Sequence, residues 1–96
     1  MGSLRRIVLD VLKPHEPSLL KFSARIDTVD CVDSVTASLI ELDTEVENVK
    51  LMIEGADLDY GAIEEAINGL GGTVHSVDQV AYGEYVVKEQ RTLQDN

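Results

Sequence analysis

An α+β fold, with two helices on one face of a four-stranded antiparallel sheet, is the class this 96-residue sequence predicts. Three observations carry that reading. Four short stretches have strand character and two have a helical apolar stripe. They follow one another as strand, helix, strand, strand, helix, strand. The length suits one domain, and 44% apolar residues is ordinary for a packed core. That order is the split βαβ, or ferredoxin-like, arrangement, whose usual sheet order is 4-1-3-2 with the first and third strands central.

Each element has its own local signal. Arg6 to Leu12 is β-branched and apolar and is stopped by Pro14, so it reads as a strand buried on both sides. Ser18 is a good helix N-cap, and Leu19, Phe22, Ile26 and Val29 recur at helical spacing, which predicts a helix over 18–29. Val35, Ala37 and Leu39 alternate with Thr36, Ser38 and Ile40 as a second strand. Asp43-Thr44-Glu45 is turn material, and Asn48 to Glu54 alternates again, so the two strands form a hairpin. Asp59 caps a second helix with the stripe Ile63, Ala66, Ile67 and Leu70, and Gly71-Gly72 ends it. Thr73 to Val80 is the fourth strand, and Tyr82 to Val87 is either its extension or a short fifth strand.

Met1-Gly2-Ser3 reads as a start methionine plus a cloning scar, so residues 1–4 are set aside as a disordered start. Residues 5–88 are expected to form the single domain, and 89–96 a polar tail.

Composition removes several function classes. Eighteen acidic against eight basic side chains leave a net charge of −10, which opposes the counterion release that nucleic-acid binding needs. No apolar run approaches the ~18 residues of a membrane span. One cysteine, Cys31, allows no internal disulfide and no multi-cysteine metal site, and it reads as structural. With no secretory segment legible, a cytoplasmic location is expected. Charge is also unevenly spread. Residues 1–26 hold five basic and two acidic side chains, whereas 27–65 hold twelve acidic ones and only Lys50.

The segments Arg5-Arg6-Ile7-Val8-Leu9-Asp10-Val11-Leu12-Lys13-Pro14-His15-Glu16-Pro17 and Gly71-Gly72-Thr73-Val74-His75-Ser76-Val77-Asp78 resemble the two signature segments of a small archaeal family, domain of unknown function 211. The similarity runs from about Leu4 to Gly83. It implies a ferredoxin-like fold, a cytoplasmic archaeal source and a ring-like or larger homo-oligomer. It implies no activity, since the family has none established.

In a two-layer fold the sheet face without helices decides what the protein can do. With Ile7, Leu9 and Val11 turned to the helices, Val8, Asp10 and Leu12 face out, as do Lys50, Met52 and Glu54. Apolar residues on both faces of a central strand suggest a covering subunit. Asp10, set between Leu9 and Val11, requires a partner. That partner is Lys50 in a salt bridge, a proton shared in an interface, or a bound cation. Asp10, Glu54 and Asp78 are the candidate all-oxygen set, suited to calcium or magnesium. His75 and Asp78 lie on opposite faces of an ideal strand, so both cannot join Asp10 without a bulge. His15 and Glu16, between two prolines, are candidate loop ligands, with a rigid connector as the plainer reading.

Catalytic signatures are sparse. The loop Lys13–Pro17 has neither the glycines nor the arginine of an acylphosphatase anion loop, and no nucleophile elbow or P-loop is present. The acids beside Cys31 oppose a reactive thiolate. The expectation is therefore a non-catalytic homo-oligomer, larger than a dimer, that binds a divalent cation or small ligand at acidic or inter-subunit sites. The alternatives are a small enzyme whose active site forms between subunits and, further off, a transcriptional regulator.

Overall fold

The computed structural model describes residues 2–84. The chain runs β1 (Ser3–Pro14), α1 (Leu19–Ile26), β2 (Ser34–Leu42), β3 (Val46–Glu54), α2 (Tyr60–Gly69) and β4 (Thr73–Gly83). Its strands form one antiparallel sheet in the order β2-β3-β1-β4, which is the expected order read from the other edge. β1 and β3 are central, and the hairpin β2–β3 turns at Asp43–Glu45.

The helix signals act as the sequence implies. Ser18 Oγ accepts the Lys21 amide at 3.2 Å, and Asp59 Oδ1 accepts the Ala62 amide at 3.3 Å. α1 is shorter than the span 18–29. Its end tightens, because the Thr28 and Val29 amides bond carbonyls three residues back and the Thr28 hydroxyl takes the Arg25 carbonyl at 2.6 Å. Val29 still packs against the core. After α2, Gly71 takes φ +90°, the left-handed turn that lets its amide and that of Gly72 cap the helix.

Core positions follow strand parity and helix stripe. Ile7, Leu9 and Val11 of β1 meet Val49, Leu51 and Ile53 of β3 under Phe22, Ile26, Ile63 and Ile67 of the helices, all at most 1% exposed. Each such burial is worth about 1.5–3 kcal/mol.

Two boundaries differ from expectation. β1 begins at Ser3, so residues 3 and 4 are strand rather than a disordered start. Leu4 pairs with Tyr82 and joins the core, and the irregularity at Arg5 lets its side chain reach the Gly83 carbonyl at 2.7 Å. Tyr82 and Gly83 extend β4 and Glu84 follows as an exposed bend, while residues 85–87 and the tail 89–96 lie outside the described residues.

Candidate functional site

The face of the sheet away from the helices carries Arg6, Val8, Asp10 and Leu12 on β1. In β3, Glu54, Met52, Lys50 and Asn48 stand directly opposite them. Val8 is buried there, and Asp10, Leu12 and Met52 are half-buried. The first strand is thus shielded on both sides even without a second layer.

Asp10 has Lys50 opposite on β3 and Ser76 opposite on β4. Register alone does not join the charges. Among the described residues the ion pairs are Arg6–Glu54, Lys13–Glu47 and His15–Glu47, and Asp10 enters none of them. Glu54 Oε2 accepts from Arg6 Nε at 2.9 Å, and Glu54 lies four rungs from Asp10, roughly 13 Å along the strand. Asp78 is different. The β1–β4 ladder skips it, and skips His75, at two register shifts. Asp78 Oδ1 accepts the Ser76 hydroxyl at 2.7 Å, and Ser76 stands opposite Asp10. Asp78 is thus bonded to the residue that stands opposite Asp10, while Glu54 stays with Arg6. No group of three His, Cys, Asp or Glu side chains among the described residues is placed to share an ion, so Asp10, Glu54 and Asp78 form no metal centre within one chain.

The densest polar cluster lies on the other face, at the hairpin end. Parity from Val11 turns Lys13 inward, and its side chain is fully buried. Removing an ammonium from water costs several kcal/mol unless it is paired and hydrogen-bonded. Lys13 Nζ donates to Glu47 Oε1 and to the Pro14 carbonyl, both at 2.8 Å, and lies 5.8 Å from the centre of the Phe22 ring. The other carboxylate oxygen of Glu47 accepts from His15 Nδ1 at 3.1 Å, and His15 Nε2 donates to the Thr44 carbonyl at 3.0 Å.

Both partners of the His15 ring are acceptors, so the two bonds coexist only in the imidazolium form. The Glu47 hydrogen bond first, then that to Thr44, raises the His15 pKa above its ordinary 6.5. Lys13 first, then His15, holds the Glu47 carboxyl below the usual carboxylate range. A ring with both nitrogens donating has no lone pair left for a general base. This arrangement clamps the β2–β3 turn to the loop after β1. Glu16, the other candidate loop ligand, is exposed beside a cis Glu16–Pro17 peptide. Cys31 is half-buried, and its Sγ accepts the Asp59 amide at 3.4 Å, bracing the start of α2.

The sequence reading passed over Lys13 and Glu47. Lys13 was legible, since the alternation 7, 9, 11 continues to 13. Glu47 was not, because its role depends on a register that only the folded hairpin defines.

Fold and site together define a small ferredoxin-like α+β protein with a half-polar open sheet face and a charge clamp at its hairpin. Residues 5–96 match the model of DUF211, described as uncharacterised ArCR. The uncharacterised protein MJ0319 of Methanocaldococcus jannaschii is 46% identical over 95 residues, which is 99% of this chain and 98% of that protein. The chain belongs to this archaeal family.

Proposed function

We propose that the protein is a non-catalytic homo-oligomeric module, larger than a dimer, that takes a divalent cation or small ligand where copies meet. The observation that supports this is apolar surface at both open edges of the sheet. β2 exposes Leu39, Ile40 and Leu42, and β4 exposes Val77, Val80 and Tyr82, each 48–69% accessible. The β2 set lies in register with the hairpin end of β3, and the β4 set lies beside the opposite half of β1. Two different apolar corners on opposite edges suit head-to-tail contact, in which each copy has two neighbours and a ring can close.

Acid chemistry fits the same geometry. Asp10, Ser76 and Asp78 offer part of an oxygen shell on the open face. Calcium takes 6–8 oxygens, so the remainder comes from water or a second copy. A net charge of −10 leaves little basic surface for nucleic acid. Among the described residues no helix is long and apolar enough to cross a membrane. We place the assembly in the cytoplasm, because a chain with one cysteine has no internal disulfide to gain from an oxidising compartment.

Light scattering at micromolar concentration should return a multiple of 10.5 kDa above two. Ile40→Lys with Leu42→Lys should return the single-chain mass. A wild-type mass of one chain sinks the proposal. Calcium should raise the thermal midpoint by mass action, and Asp10→Asn should remove that rise. A rise that survives the substitution moves the cation away from Asp10.

A further inference from the structure

We propose that the groove between α1 and α2 binds a small amphipathic anion, a carboxylate head on a short apolar body. The groove is about 760 Å³ and opens to solvent, within the ~300–1,000 Å³ range of small-molecule sites. Pro17, Ala24 and Leu70 give it apolar walls, and Lys21 and Arg25 give it two cations.

Those two cations are unclaimed by any acid among the described residues. Arg6 and Lys13 are held in ion pairs and Arg5 bonds a backbone carbonyl, while Lys50 is also unpaired but stands alone on β3, opposite Asp10. Lys21 and Arg25 enter none of the ion pairs, although the protein carries ten more acids than bases. They sit four residues apart on α1, one above the other on one face, where like charges oppose helix formation. Arg25, in the last turn, at least complements the helix dipole. Lys21 is in the first turn, which holds no acid, and there the dipole disfavours a cation. An anion between the two heads removes both penalties, and the arginine fork can take a carboxylate with two hydrogen bonds.

Gly69 is the independent sign that the space is kept open. It is the last residue of α2 and lines the groove, yet its backbone φ is not positive. A Cβ there would meet nothing within 4 Å. Neither conformation nor packing requires a glycine at this helix end. Its lack of a side chain leaves the floor beside Arg25 and Thr28 free. None of these residues lies at the apolar sheet corners, so the proposal stands or falls apart from the assembly reading.

The test is an amide NMR titration with hexanoate, hexanol and inorganic phosphate. Hexanoate should give saturable shifts centred on Lys21, Arg25, Thr28 and Leu70, and bind about tenfold more tightly than either control, since each lacks one half of the match. Lys21→Gln with Arg25→Gln should weaken hexanoate by about tenfold or more while leaving hexanol unchanged. Gly69→Leu should fill the groove and abolish binding with the thermal midpoint retained. Hexanol as tight as hexanoate, phosphate as tight as hexanoate, or binding that survives Gly69→Leu would each overturn the proposal. So would the absence of any saturable shift.

Discussion

Two ion pairs bridge the same two central strands, and they differ in almost everything except chemistry. Arg6 faces Glu54 and Lys13 faces Glu47, each directly opposite its partner in the β1–β3 ladder. Seven residues separate them on either strand, an odd number, so an unbroken register sends them to opposite sides of the sheet. Arg6–Glu54 lies on the open face with its side chains 18% and 28% exposed, whereas Lys13–Glu47 lies under Phe22 at 0% and 15%. Cross-strand pairing is therefore not itself the source of any large energy. The surroundings decide. Water already solvates the first pair well, so its members gain little from each other. In the second pair the Lys13 ammonium has lost its water and depends on Glu47 for its counter-charge, while Glu47 keeps some contact with solvent.

The largest effect expected from that contrast follows removal of the Glu47 charge. Glu47→Gln strands the Lys13 ammonium beneath the aromatic ring and also takes away the acceptor that holds His15. Its urea midpoint should fall further than that of any other single carboxylate-to-amide change among the described residues. Adding Lys13→Met should recover most of the loss, because an apolar side chain needs no counter-charge there. A Glu47→Gln protein as stable as the parent would break the comparison, and a double variant no better than the single one would show that the pair acts through geometry rather than charge.

A smaller effect separates the clamp from the open-face pair by pH. His15 has its folded pKa raised above the ordinary 6.5. Its contribution is then complete below that ordinary value and is lost as pH rises through the folded pKa. Glu47 is shifted the other way, so its contribution is lost only as pH falls through its lowered folded value. The Tm difference between the parent and His15→Ala should be widest near about pH 6 and close at alkaline pH, with protein concentration held fixed. A constant difference across that range would mean the imidazolium is not what pins the Thr44 turn. Arg6→Gln should show no such window.

How much of this was legible in sequence depends on whether a feature is local. The element order, both N-caps and the helix stop at Gly71 are written within four or five residues, and they read correctly. Facing is nearly local, because period two carries Ile7, Leu9 and Val11 to the core and Asp10 to the open side. Asp10 beside Lys50 followed from the strand order, yet the two heads form no ion pair, because sharing a rung fixes the backbones and leaves a long side chain free to turn away. The bulges at His75 and Asp78 carry no glycine or proline to mark them, so the register that sets Ser76 opposite Asp10 could not be placed in advance. Lys13 was passed over for the opposite reason. A lysine next to Pro14 reads as the start of a loop, although strand parity assigns it to the interior.

The smallest effect belongs to Arg6–Glu54 and sharpens the comparison from its quiet side. Nε and Oε2 are 2.9 Å apart, as short as the buried contact within a tenth of an ångström, so distance alone would rank the two pairs together. Arg6→Gln should nevertheless cost no more than about 1 kcal/mol, and most of that should vanish at 1 M salt, where the screening length falls to ~3 Å. The Glu47→Gln loss should persist in the same salt, since ions do not reach a lysine with no exposed surface. Chemical denaturation of the two variants at low and high salt reads this directly. Equal salt sensitivity would place both pairs in the same dielectric surroundings and remove the distinction between the two faces of β1, whereas a salt-resistant loss at Arg6 would mean that the open face is covered in solution by another copy of the chain.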